Sequence, residues 1–271
     1  MRSTDPRVIF YDIETAPSLG YYFDPYKEGN IVSTVQSWFM LSFAYKVQGT
    51  KKIHYHCLAD YPAYAKDKKN DKALSTDLHR ILSSADILIG HNIDRFDSRK
   101  AKARFVAHRL PPPPPVKTID TLKIARRVFK FDSNRLEALG EYLGLGRKAT
   151  TTGWRMWEAC IDGDVRAYKQ MGVYNRRDVD LLEQVYDILA PWNPTAPYTG
   201  CAGCPSCYSE RVTRQGFKIS RSGRSQQMKC QDCGHWFSEK VSRDETKEKA
   251  VRGAKYTPQL PLRGSPKISR R

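Results

Sequence analysis

Nowhere in the 271 residues is there a run of about 20 uninterrupted apolar side chains, the length that spans a bilayer as a helix. The N-terminus also lacks the charged, apolar and small-residue pattern of a cleaved leader, since Met1 to Phe10 runs straight into a strand-like segment. The expectation is a soluble chain inside a cell, without a membrane partner. Cysteine is scarce over the first 200 residues, where only Cys57 and Cys160 occur, so no disulfide scaffold is expected there. No internal repeat is present. Acid is also in short supply: 29 Asp and Glu stand against 46 Lys and Arg, a formal charge of +17. Such an excess suits a polyanion such as nucleic acid. Apolar residues, at 40%, are enough for a core of ordinary size, which excludes disorder throughout.

The distribution of charge and cysteine divides the chain. More than half of the net charge, +10, lies behind residue 200, where Cys201, Cys204, Cys207, Cys230 and Cys233 also crowd together. Pro191, Pro194 and Pro197, among Asn, Thr and Gly, mark a linker. We therefore expect a first domain over 1–195, a metal module over 196–240 and a basic tail over 241–271. The tail has too few apolar residues to fold by itself, and disorder is expected there.

Within the first domain, residues 7–13, 38–47 and 51–58 are β-branched and aromatic and predict three opening strands. Helical spacing at 75–84, a short buried strand at 86–90 and a basic helix at 97–109 follow. Pro111 to Pro115 then form a stiff extended connector. A short strand at 118–120 and helices at 122–129, 134–143, 165–171 and 174–189 complete a mixed α/β sheet covered by helices.

Three acidic motifs carry chemistry. Asp12 and Glu14 stand two apart at the end of the opening strand, so both carboxylates share one face while Ile13 points to the other. Like charges held that close call for a cation between them, and a strand end reaching solvent is the plain alternative. Asp94 and Asp97 follow the buried strand in His91-Asn92-Ile93-Asp94-Arg95-Phe96-Asp97, where α/β proteins commonly assemble sites; helix capping is the plain alternative. Tyr174 and Asp178 are i and i+4 on a helix whose face continues into Leu181, Leu182, Val185 and Leu189, so Asp178 is expected to point at the sheet. An ion pair with Arg177 or Arg135 is its alternative fate. Asp120 is expected to cap a helix, and His91 to support the site by hydrogen bonds. His54 and His56 are expected to be ordinary strand residues. Trp154, in a polar loop, offers a stacking surface or, more simply, core packing.

In order and spacing, Phe10-Tyr11-Asp12-Ile13-Glu14-Thr15, then Asn92 with Phe96-Asp97, then Tyr174 with Asp178, resemble the three exonuclease motifs of the DEDD superfamily. That superfamily has a ribonuclease H-like fold. The segment from Thr118 to Lys148 is similar to the linker region of its DnaQ-like members, so the resemblance spans roughly residues 7–190. With Val173 and Tyr174 in the third motif, the chain resembles the tyrosine branch. The resemblance implies a 3'-5' exonuclease in which Asp12, Glu14, Asp97 and Asp178 hold two Mg²⁺ or Mn²⁺ ions and Tyr174 orients the attacking water. It further implies nucleic acid as substrate, DNA ahead of RNA and single-stranded ends first, and a replication or repair protein as partner. An RNA exonuclease, a structure-selective endonuclease and a non-catalytic adaptor are the alternatives.

Cys204-Pro205-Ser206-Cys207 and Cys230-Gln231-Asp232-Cys233 form two CxxC knuckles suited to one structural Zn²⁺, with Gly216 and Gly223 between them to turn a hairpin. Cys201 with Cys204 is a competing first knuckle; Cys-Pro-x-Cys favours Cys204 and Cys207. The module resembles the zinc ribbons of transposase and transcription proteins. Arg211, Arg214, Lys218, Arg221, Arg224 and Lys229, with Phe217, Trp236 and Phe237, suit phosphate contacts and base stacking.

Overall fold

The computed structural model describes residues 6–23, 31–146, 153–193, 203–220 and 223–240. The expected disordered tail, the loop at 150–152 and Cys201 lie outside the described residues. In chain order the strands of the first part are β1 (Val8–Thr15), β2 (Leu19–Tyr21), β3 (Ser33–Gln36), β4 (Met40–Val47), β5 (Ile53–Cys57), β6 (Ile87–Gly90) and β7 (Lys117–Asp120). Five of them form one mixed sheet in the order β5-β4-β1-β6-β7. β1 sits at its centre, antiparallel to β4 and parallel to β6. The hairpin β2–β3 stands apart and was not anticipated, because its strands are short and largely exposed. No described helix is long and apolar enough to cross a membrane.

Among the described residues six α-helices cover the sheet: α1 (Lys72–Ser83), α2 (Asp97–Ala107), α3 (Thr121–Val128), α4 (Leu136–Tyr142), α5 (Trp154–Asp162) and α6 (Val165–Leu189). Strand alternation decides which face of β1 meets which helices. Ile9, Tyr11 and Ile13 pack with Leu88 against Leu78 and Leu82 of α1 and Ala101 and Phe105 of α2. Val8 and Phe10 pack with Ala44, Ile87 and Ile89 against α3, α4 and the C-terminal half of α6. Asp12 and Glu14 extend this second face, and the carboxylates are therefore delivered to the α6 side. Each large apolar side chain fully buried in these two layers stabilises by about 1.5–3 kcal/mol.

Two expectations are corrected. Residues 165–171 and 174–189 are one continuous helix, because Gly172 marks a close approach and not a break. A Cβ there would fall 2.8 Å from the Tyr55 ring, so only glycine lets α6 lie this close to β5. Trp154 begins α5, an element the polar surroundings concealed, and is 56% exposed, so it does not pack in the core.

Behind residue 203, β8 (Val212–Ser220), β9 (Gly223–Cys230) and β10 (Trp236–Lys240) form a three-stranded antiparallel sheet. Gly216 sits inside β8 at a register shift, with φ of 106°, so it serves a bulge and not the turn. This part touches the chain before it: His235 Nδ1 lies 2.6 Å from the Pro191 carbonyl oxygen, and Tyr208 packs against the core beside α6.

Candidate active site

β1 and α6 build the site. Asp12 and Glu14 come from the end of the central strand, and Asp178, 6% exposed, comes from the face of α6 turned toward it. One oxygen from each of these carboxylates lies within 4.8 Å of the others. Three negative groups at that distance repel, and their oxygens are the hard donors that Mg²⁺ and Mn²⁺ prefer, so the donor set fits such ions. Arg177, one of the two partners considered for Asp178, binds Asp180 at 2.9 Å and the Leu145 carbonyl.

Tyr174 lies one turn before Asp178. Burial holds its phenol well above the ordinary tyrosine value, and the carboxylates of Asp178, Glu14 and Asp12 add to the shift. Trp157 of α5 meets the Tyr174 ring edge-on at 5.5 Å and fixes its plane.

Asp97 stands outside this trio. As the first residue of α2 it is 2% exposed and accepts the Ile13 N–H at 3.2 Å, which ties the end of β1 to α2 between the two β1 carboxylates. Burial pushes its carboxyl up to about 7, against the backbone N–H bonds that pull it down. Asp94 is drawn away from the cluster by Thr118 and Lys123.

The supporting residues act largely as expected. Asp120 caps α3, accepting from Leu122 N at 3.0 Å, and also takes the Asn92 N–H at 2.9 Å. His91 reaches Thr121 Oγ1 and the Asn134 carbonyl, each at 2.9 Å. His54 and His56 stack on Tyr45 and Phe43 with ring centroids 4.7 and 4.9 Å apart. The residue that sequence reasoning passed over is Asn175. Fully buried, it donates to Asp12 Oδ2 at 2.6 Å and accepts from Ser42 Oγ at 3.4 Å. The signal was available: Ser42 is a lone hydroxyl inside the apolar run Met40–Ala44, and Asn175 lies on the Asp178 face of its helix.

The second cluster gathers Cys204, Cys207, Cys230 and Cys233. Cys204 and Cys233 sulfurs lie 3.6 Å apart, as do those of Cys207 and Cys230. Zinc–sulfur bonds of about 2.3 Å in a tetrahedron give edges of about 3.8 Å, so the four thiols fit one Zn²⁺.

This geometry agrees with the family to which the sequence is matched. A family model described as the RNase H superfamily matches residues 9–190, and the chain belongs to that superfamily. Among solved structures it is similar to a family B DNA polymerase from the hyperthermophilic archaeon Pyrobaculum calidifontis, with 15% identity and a TM-score of 0.47. The match covers 69% of this chain and 25% of that one, so this chain spans about a quarter of the polymerase. No curated protein sequence matches the chain. Superfamily membership and the converging carboxylates together support a nuclease, a hydrolase of phosphodiester bonds.

Proposed function

We propose that the chain is a metal-dependent 3'-5' exonuclease of the tyrosine DEDD type that removes nucleotides from DNA ends. The observation that carries this reading is the convergence of Asp12, Glu14 and Asp178 within 4.8 Å, with Tyr174 against them. Asp12, Glu14 and Asp178, with Asp97 at their border, would hold two Mg²⁺ or Mn²⁺ ions, which when bound supply Lewis-acid stabilisation of phosphate oxygens and a more acidic water. Burial favours the protonated phenol of Tyr174, whose hydroxyl would orient the attacking water as a hydrogen-bonding group. Asn175 holds Asp12 in its rotamer, and Asp97 holds the strand end through Ile13.

The same reading extends to the C-terminal half. Residues 196–240 form a zinc ribbon on Cys204, Cys207, Cys230 and Cys233, which grips nucleic acid together with the basic tail at 241–271. In its favour, the Arg224 guanidinium lies 3.3 Å over the Phe217 ring and Lys229 lies 5.6 Å from that of Trp236, cations and rings arranged for phosphate and base.

The experiment is a gel with strands labelled at one end or the other, DNA and RNA, single and double stranded, with Mg²⁺ or Mn²⁺. Stepwise shortening of 5'-labelled single-stranded DNA supports the proposal. Internal cuts, RNA-only cleavage or binding without cleavage point instead to an endonuclease, an RNA exonuclease or an adaptor.

A further inference from the structure

At the C-terminal ends of β6 and β7 lie two adjoining clefts of about 530 and 390 Å³, which share Asn92, Leu122 and Arg126. Arg95, Lys123, Arg126, Arg127 and Arg135 stand around them, against two acids, Asp120 and Glu137. Asp120 is occupied in capping α3 and in holding Asn92. Lys123 pairs with Asp94 at 2.6 Å, and Arg127 reaches Asn193. Among the described residues, Arg95, Arg126 and Arg135 have no carboxylate at ion-pair distance, and all three are exposed.

The arrangement follows from the helix. Thr121, Ile124 and Ala125 are the buried side of α3, which leaves Lys123, Arg126 and Arg127 on its outer face. Cations three and four residues apart repel, and a polyanion lying among them relieves that repulsion. Asn92, the wall common to both clefts, has φ of 68°, a left-handed backbone uncommon for a residue with a side chain and held here by Asp120.

Register places the clefts beside the carboxylates. Phe10 pairs with Ile89 and β6 ends one residue later at Gly90, so the turn that carries His91 and Asn92 starts at the end of β1 that bears Asp12. One strand spacing of about 5 Å separates β1 from β6, and a second separates β6 from β7. The carboxylates at the end of β1 and the clefts after β6 and β7 therefore share the C-terminal edge of the parallel strands.

We propose that these clefts hold the phosphodiester backbone of the nucleic acid strand whose reacting phosphate sits at Asp12, Glu14 and Asp178. The inference rests on the nuclease reading of that site. Its test separates the two, because binding is measured with chemistry disabled. In the full chain carrying Asp12→Ala, the affinity for a labelled single strand is followed by fluorescence anisotropy across a salt series, with and without Arg126→Ala and Arg135→Ala together. Loss of two phosphate contacts lowers affinity at low salt by about tenfold and flattens the slope of log affinity against log salt by about 1.4, roughly 0.7 per contact. Arg126→Lys with Arg135→Lys, which keeps the charge, retains the slope.

Lys66→Ala with Lys69→Ala removes equal charge from exposed positions elsewhere and leaves the slope unchanged. Equal slopes and affinities with and without the two arginines overturn the proposal, as does an equal loss in the Lys66 and Lys69 control. Melting curves of each protein exclude misfolding as the source of a loss. Cleavage by the Asp12→Ala background would instead count against the nuclease site and leave the binding comparison readable.

Discussion

Asn175 Nδ2 donates to Asp12 Oδ2 at 2.6 Å, joining the last helix to the central strand across 163 residues of chain. The bond fixes one carboxylate of the cluster from behind, and residues in that position tune metal sites by about 10–100-fold in affinity or activity. Asn175→Ala should raise the Mg²⁺ concentration needed for half-maximal cleavage by about tenfold or more, with a stability loss of about 1–3 kcal/mol from the buried partners it strands. A Mg²⁺ titration that matches wild type would remove Asn175 from the site.

Asp71 is fully buried and is held by Arg104 Nε at 2.6 Å, Arg104 Nη2 at 2.5 Å, His108 Nε2 at 2.6 Å and the Met40 N–H at 2.8 Å. It locks the starts of α1 and β4 to α2. Asp71→Ala leaves the partly buried Arg104 guanidinium and the Met40 N–H without their carboxylate and should cost about 3 kcal/mol. Urea unfolding would check this, and a loss below about 1 kcal/mol would show that the lock contributes little.

The sheet and the acidic trio were legible because they rest on strict periodicities. Asp12 and Glu14 two apart on a strand, and Tyr174 and Asp178 four apart on a helix, fix shared faces without tertiary knowledge. What was hidden depends on contacts distant in sequence. Gly172 reads as a helix break until Tyr55 is seen against it. α5 opens with Trp154 after a polar stretch, and its purpose, bracing Tyr174 through Trp157, exists only in three dimensions. Asp97 belongs to the same ordered set of motifs as the other acids, yet it reaches them through the Ile13 backbone, which spacing does not reveal.

The purified chain should carry one zinc, retained when chelation strips the carboxylate site, since thiolate zinc exchanges far less readily than carboxylate-bound Mg²⁺. Cys230→Ser should lose it and Cys201→Ser should keep it. Elemental analysis finding zinc lost from Cys201→Ser but present in Cys207→Ser would reassign the first knuckle.

Burial pushes the Cys57 and Cys160 thiols up to about 12. At pH 8 about one part in ten thousand of each is then thiolate, and reactivity should rise about tenfold per pH unit until the fold or the titration ends it. In the zinc-loaded Cys201→Ser chain, an aromatic disulfide reagent at pH 8 should leave both unlabelled until denaturant is added. Rapid labelling of either in the native protein would contradict the burial.

If Asp12, Glu14 and Asp178 form a cleavage centre, cleavage depends on each of them. The most direct measurement is the turnover of 5'-labelled single-stranded DNA by wild type, Asp178→Ala and Tyr174→Phe with Mg²⁺, beside the melting curve of each. Wild type should shorten the strand from its 3' end, Asp178→Ala should lose at least about a thousandfold with the fold retained, and Tyr174→Phe, which removes one hydroxyl and no metal ligand, should lose less. Wild-type turnover in a folded Asp178→Ala protein would contradict it.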